Sequence, residues 1–129
     1  MTQYGTRSDA TVEDRIAAES VKQRVFLAVQ DLCIEEGDVR ARLIVSISTL
    51  MPLNPDEFPE ALRKDFEWVM LQSTKHESTF PEHRSNLEVT MKKIRNSTGK
   101  KIAEKIFRIY SEIQNIRGFP LLGNRKPSE

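Results

Sequence analysis

The feature that most constrains the fold is a row of apolar residues in the last third of the chain, between Leu87 and Arg117. Its members are spaced so that they share one side of an α-helix with 3.6 residues per turn. They are Leu87, Met91, Ile94, Ile102, Ile106, Ile109 and Ile113. Such a stripe has to be covered, so other helices are expected to pack along it.

One polar run interrupts the stripe, from Arg95 to Lys101, with the sequence Arg-Asn-Ser-Thr-Gly-Lys-Lys. At about 100° per residue, the apolar row after Gly99 is displaced by most of a quarter turn from the row before Asn96. The pattern therefore predicts a kink or a full break at Asn96 to Gly99, where Ser97 or Thr98 would cap a new helix.

Three apolar patterns precede this stretch, and the first predicts a helix from the hydroxyl cap Thr11 to about Glu36. Gly37 ends it and Asp38 caps the next helix, so the short connection predicts a helical hairpin. Two rows give the first helix a wide buried face. One row is Ala17, Val21, Val25, Ala28 and Leu32, and the other is Phe26, Val29 and Cys33.

The second helix is predicted over residues 39–51 and the third over residues 59–74, with Pro59 as its first residue. The β-branched run at residues 44–49 would also suit a strand. A helix is favoured because the apolar spacing fits it and no second strand lies nearby. The inward positions are Leu43, Ile44, Ile47, Leu50 and Met51 in the second helix, and Leu62, Phe66, Val69 and Met70 in the third.

These patterns predict one all-α domain, a bundle of four to five helices whose first two form the hairpin. We expect the bundle at residues 11–117, a flexible N-terminus at residues 1–10 and a C-terminal tail at residues 118–129. No apolar run reaches the length of about 20 residues that a membrane span needs, and no secretory segment is evident. With Cys33 as the single cysteine, these features favour a cytoplasmic protein.

Charge is unevenly distributed although the whole chain has a net charge of only +1. Residues 1–83 have 9 Lys and Arg against 15 Asp and Glu, a net −6, whereas residues 84–129 have 11 against 4, a net +7. One interpretation is that acidic and basic helices attract each other within the fold. The other is a basic face for an acidic partner or a nucleic acid.

Few residues are candidates for catalysis or for cofactor binding. Cys33 lies in an apolar row, so we expect a small buried residue rather than a nucleophile. His76 and His83 lie in a polar loop at residues 75–86, and their spacing matches no zinc pattern. Gly99-Lys100 lacks the first glycine and the preceding strand of a phosphate loop. We therefore predict no catalytic residues, no metal and no cofactor.

The main candidate site is the basic cluster of the last stretch. Its side chains could hold phosphate groups, and a helix that starts inside the cluster would add free backbone N–H groups. Few aromatics are interspersed, so base stacking is not indicated. A solvated helix face is the alternative. The residues are Lys92, Lys93, Arg95, Lys100, Lys101 and Arg108.

Arg95-Asn96 followed by Lys100 resembles the motif of the HEPN-type helical ribonucleases, in which an arginine and a polar residue precede a histidine at four-residue spacing. The likeness covers the six residues from Arg95 to Lys100, and Lys100 occupies the position of the catalytic histidine. The resemblance implies a small helical bundle that acts on RNA. The missing histidine argues against RNA cleavage.

We expect a non-enzymatic interaction module, an adaptor or accessory subunit of a protein assembly that binds another protein or itself. Trp68 lies beside the apolar row of the third helix, where it either closes the edge of the core or anchors a partner. The tail residues Phe119, Leu121 and Leu122 either pack on the bundle or dock on a partner. The alternative function is RNA or DNA binding through the basic face of the last helix.

Overall fold

The computed structural model describes residues 12–115, except for the side chains of residues 13–15. This part of the chain forms five α-helices and a short 3-10 turn and contains no strand, which confirms the all-α prediction. The elements are α1 (Val12–Ile34), α2 (Val39–Leu50), the 3-10 turn (Pro55–Glu57), α3 (Glu60–Ser73), α4 (Asn86–Lys93) and α5 (Asn96–Asn115). The predicted N-terminal segment and C-terminal tail lie outside the described residues.

The predicted α1–α2 hairpin is confirmed, and two residues in its connection explain it. Gly37 has a φ of +98°, a left-handed conformation that residues with a Cβ rarely adopt, so the chain can reverse there. Asp38 then caps α2, because its Oδ1 accepts hydrogen bonds from two backbone N–H groups in the first turn, at 2.9 and 3.1 Å. Farther along the hairpin, the buried Ser46 Oγ donates to the carbonyl of Ala28 at 2.7 Å.

The helix α5 is the central element of the bundle, because it packs against α1, α2 and α3. All seven residues of the predicted stripe are buried, and the most exposed of them, Ile94, is only 6% exposed. Burying one such side chain contributes roughly 1.5–3 kcal/mol, whereas a surface ion pair contributes about 1 kcal/mol or less. Burial of the stripe therefore outweighs the attraction between the acidic and basic parts of the chain.

The buried face of α1 is narrower than predicted. Most of the first row is buried, but Phe26 is 43% exposed and Cys33 is also exposed, so only Val29 of the second row packs against the core. At the start of the helix Ala17 is exposed and Ala18 is buried instead. The reason is the position of α1 at the outside of the bundle, where its main contacts are with α2 and α5.

Helix ends differ from the predictions by one or two residues, as is common where terminal turns fray. The helix α1 ends two residues early, and α2 ends at Leu50, which leaves Met51 exposed at the C-cap. Pro59 precedes α3 as its N-cap rather than being its first residue. Between α3 and α4 the predicted loop is present, and the buried Thr90 Oγ1 accepts a hydrogen bond from the backbone N–H of His76 at 2.9 Å.

Gly99 allows α5 to lie close to α2. The residue is buried, and a Cβ added there would lie 3.1 Å from Cγ1 of Val39 and 3.3 Å from Cγ of Arg40. Both distances are shorter than the optimal separation of carbon atoms. Helix packing therefore accounts for this glycine without a bound phosphate.

We expect Gly99→Val to lower the free energy of unfolding by about 1–3 kcal/mol, because the added side chain would push α5 away from α2. Urea unfolding measures the change. Lys100→Val is the matched control, since it places the same β-branched side chain at an exposed position of the same helix. Equal losses in the two variants would contradict the close packing.

Candidate functional site

The helical conformation is interrupted at Ile94 and Arg95, between α4 and α5. This position is just before the predicted junction. Ile94 is in an extended conformation, with φ −80° and ψ 161°, which ends α4 while its side chain stays buried. The carbonyl of Arg95 accepts hydrogen bonds from the N–H groups of Thr98 and Gly99, both at 3.0 Å. Ser97 and Thr98 therefore lie in the first turn of α5 rather than capping it. A full break is present, but the predicted position at Asn96 to Gly99 is wrong.

Arg40 joins this break to the start of α2. Its Nη1 donates to the carbonyl of Ile94 at 3.0 Å, and its Nη2 lies 3.0 Å from Oδ2 of Asp38. The first contact satisfies a carbonyl at the end of α4 and places positive charge at the negative end of the helix dipole. The second contact is the main reason why the pKa of Asp38 is lowered from its usual value, and the hydrogen bond from the N–H of Ala41 comes next.

Two other arginines also bind carbonyls near the ends of helices. Arg42 Nη1 donates to the carbonyl of Leu32 in α1 at 2.9 Å, and Arg24 Nη1 donates to that of Thr49 in α2 at 3.3 Å. Together with Arg40, these residues use their guanidinium groups to hold neighbouring helices together. They are therefore part of the scaffold rather than of an open binding surface.

The basic residues around the break differ from these arginines because they are exposed and unpaired. None of them forms a side-chain hydrogen bond or an ion pair with the residues that the structure describes. We term this set the basic junction, and it consists of Lys92, Lys93, Arg95, Lys100 and Lys101. Arg108, the sixth predicted residue, instead pairs with Glu112, whose Oε2 lies 2.9 Å from Arg108 Nε and raises the pKa of the guanidinium.

Trp68 lies where α3 meets α5 and is 36% exposed. Lys105 Nζ of α5 lies 5.5 Å from the centroid of the indole ring and 3.4 Å from Oδ1 of Asp65. This ion pair joins the acidic and the basic parts of the chain. The indole is partly covered by these neighbours, and its role in partner binding stays a prediction.

Three aromatic residues form an exposed surface between α1 and α5, which we term the aromatic seam. The ring centroid of the half-buried Tyr110 lies 6.4 Å from that of Phe26 and 6.2 Å from that of Phe107. Phe26 is 43% exposed and Phe107 is 56% exposed. Large rings that stay accessible and are supported by neighbouring rings are typical of protein interfaces.

The sequence pattern does not predict this surface. It predicts that Phe26 lies in the core, and none of the predicted site residues is Phe107. The position of Phe107 in the sequence could have indicated this surface. The residue lies about 140° around α5 from Ile102 and is therefore off the apolar stripe. A large ring on the polar side of a helix is a candidate contact residue.

The remaining candidates do not come together in one site. His76 is half-buried and His83 is exposed. Among the side chains that the structure describes, no group of three or more His, Cys, Asp or Glu could hold a metal ion. Between residues 12 and 115, no helix is long and apolar enough to cross a membrane. Phe119, Leu121 and Leu122 lie outside the described residues.

Comparison with known proteins finds no match to this chain among protein-family models, curated proteins or solved structures. The likeness to the HEPN motif therefore stays limited to the six residues from Arg95 to Lys100. Of these, Arg95 lies in the link between the last two helices, and Asn96 and Lys100 lie in the first part of α5.

We expect Arg40→Met to destabilise the fold by about 1–2 kcal/mol, because the carbonyl of Ile94 loses a charged donor. Hydrogen exchange should become faster at the N–H groups of Thr98 and Gly99, next to the break. Lys64→Met is the control, since Lys64 is exposed and has no side-chain partner among the described residues. Unchanged exchange in the Arg40 variant would contradict a role for Arg40 in holding the junction.

The same variant should alter acid unfolding. The pKa of Asp38 is lowered in the folded protein, so its contribution is complete above the usual value of 3.8 and is lost as the pH falls through the folded value. Because the Arg40 contact is the main cause, the loss of stability below pH 3.8 should be smaller in Arg40→Met than in the parent. Unfolding by urea at several pH values measures this difference.

Proposed function

We propose that this protein is a non-enzymatic interaction module, an adaptor or accessory subunit, and that the aromatic seam is its contact surface. The observation that carries the proposal is the exposure of Phe26 and Phe107 beside a supporting tyrosine. Full burial of a phenylalanine contributes roughly 1.5–3 kcal/mol, so two half-exposed rings retain a useful part of that free energy for association.

The surroundings of the seam also favour a protein partner. Gln23 and Gln30 flank Phe26 on the exposed side of α1, about one turn away in each direction. On α5 the half-buried Ala103 precedes Phe107 by about one turn. The centre of a protein interface is poor in charged residues and rich in aromatic ones. This composition fits that description in part, since Lys22 and Glu104 are the only charged residues three or four positions from either phenylalanine. A cytoplasmic location, expected from the sequence, stays a prediction.

We expect Phe107→Ser to weaken binding to a protein partner, or self-association, by roughly tenfold or more, because interface centres depend on a few large anchors. Phe80→Ser is the matched control, because Phe80 is 65% exposed but lies in the connection between α3 and α4. Sedimentation measures self-association, and photo-crosslinking from position 107 or position 80 in extract of the native cell identifies a partner.

Two results would contradict this proposal. If Phe107→Ser keeps every association that the parent makes, the seam is not the contact surface. If the parent is strictly monomeric and crosslinks to no protein from position 107, the protein is not an interaction module of this kind.

A second candidate function is RNA or DNA binding, which the five unpaired side chains of the basic junction favour. Exposed cations without carboxylate partners can neutralise phosphates and release counterions. Two observations make this candidate weaker than the first. The whole chain is close to neutral, and the junction contains no aromatic residue on which bases could stack.

For this candidate we expect Lys93→Glu with Lys100→Glu to reduce oligonucleotide affinity by roughly tenfold or more and to flatten its dependence on salt. Fluorescence anisotropy at several salt concentrations measures both effects. Lys64→Glu with Lys75→Glu changes the net charge equally but lies outside the junction, so it should retain most of the affinity. Parent-like binding by the first double variant would exclude the junction as a nucleic-acid site.

A further inference from the structure

We propose that Arg40 is the positioning residue of the basic junction. Without contacting the ligand itself, it holds the lysines of α4 and those of α5 in one arrangement that a phosphate backbone can bind. The inference rests on the second candidate function, nucleic-acid binding, and deepens it by naming the residue that arranges the site. It is carried by two contacts of one side chain, one on each side of the break.

The first contact fixes the end of α4. Lys92 and Lys93 lie in the last turn of α4, and Ile94 follows them directly as its C-cap. Arg40 Nη1 donates to the carbonyl of Ile94 at 3.0 Å. A charged donor on a helix-end carbonyl is among the stronger hydrogen bonds of a protein. This bond therefore ties the last turn of α4, and both of its lysines, to the start of α2.

The second contact lies at the first turn of α5. A Cβ built on Gly99 would lie 3.3 Å from Cγ of Arg40, so the aliphatic part of the arginine packs against the backbone of the glycine. Lys100 and Lys101 follow Gly99 directly in the chain. One side chain thus touches the α4 segment next to one lysine pair and the α5 segment next to the other.

Asp38 lets Arg40 hold the junction without adding to its charge. The five unpaired cations repel one another, and this repulsion favours separation of the α4 lysines from the α5 lysines. An additional free cation would increase the repulsion. Oδ2 of Asp38 lies 3.0 Å from Nη2 of Arg40, so the two side chains form a pair with no net charge. The position and the charge of Arg40 can therefore be separated by mutation.

Apolar packing alone does not fix the end of α4. The buried Leu87 and Met91 hold the middle of this helix in the bundle. The helix has only eight residues, and a helix this short depends on tertiary contacts for its stability. We expect α4 to stay packed when the Arg40 contacts are lost, whereas its last turn, with Lys92 and Lys93, becomes loosely placed.

Fluorescence anisotropy of labelled oligouridine with the full chain tests the inference. Arg40→Met with Asp38→Asn removes one positive and one negative charge, so the net charge is unchanged, and asparagine can still cap α2. We expect this double variant to bind roughly threefold to tenfold more weakly at about 0.1 M salt. The slope of log affinity against log salt should also become less steep by about one, because one fewer phosphate is neutralised.

Asp38→Asn alone is the matched control. It retains Arg40 and its bond to Ile94, and it removes a negative charge near the junction, so it should bind at least as tightly as the parent. Arg40→Lys is a second test, since it keeps the charge and most of the stem. A lysine has one nitrogen instead of a planar fork and cannot hold both partners in the same way, so affinity should fall in this variant too.

Two lysine substitutions distinguish positioning from direct contact with the ligand. Lys93→Ala should reduce affinity less in the Arg40→Met, Asp38→Asn background than in the parent, because Lys93 is already poorly placed there. Lys100→Ala should reduce affinity equally in both backgrounds, because the packed α5 helix holds it. If Arg40 contacted the phosphates itself, the effect of Lys93→Ala would be the same in both backgrounds.

Each outcome supports or overturns a defined claim. Circular dichroism and thermal unfolding establish that every variant is folded at the temperature of the measurement. A parent that does not bind oligouridine overturns both the nucleic-acid candidate and this inference. If Lys93→Glu with Lys100→Glu weakens binding but both Arg40 variants bind as the parent does, the inference alone fails. Equal effects of Lys93→Ala in the two backgrounds would make Arg40 a ligand contact and overturn its positioning role.

Discussion

The other helices are arranged around the burial of the isoleucine row of α5. The row faces α1, α2 and α3 at once, and no residue of it is exposed by more than a few per cent. Each of these side chains contributes roughly 1.5–3 kcal/mol when it leaves water, which is more than any surface ion pair in the molecule can provide. Gly99 lets the start of α5 lie against α2 without a clash, so the row is covered from its first turn.

Arginines complete the packing that the apolar row begins. Helix ends leave carbonyl groups without partners inside the helix, and a compact bundle of short helices has many such ends. Arg24, Arg40 and Arg42 each donate to one of these carbonyls on a neighbouring helix. Their guanidinium groups hold neighbouring helices together. The side chains of the basic junction differ from them because they are unpaired among the described residues. Counting basic residues alone would overestimate the surface that is open to a nucleic acid.

We expect the function to lie on the surfaces that the packed helices leave exposed. The side of α1 that carries Phe26 and the side of α5 that carries Phe107 meet, and no third helix among the described residues lies over them. The basic junction is equally open, but its charges are compact and strongly hydrated, so they favour loose contact with phosphates over a dry interface. The seam carries large apolar rings that can exclude water, and this makes it the better surface for a lasting contact.

The sequence by itself determined the helices, the hairpin and the buried stripe. These features depend on local rules: the 3.6-residue period, the cap at Asp38 and the reversal at Gly37. The candidate site could be predicted from the sequence only in part. Its basic residues could be named, but the sequence does not show which of them are paired and which are unpaired. Only the tertiary structure decided that Phe26 and Cys33 stay outside the core, that α4 ends at Lys93, and that Arg40 binds the end of α4. Those outcomes depend on which helices pack beside each residue, and the local sequence around a residue does not specify its neighbours in space.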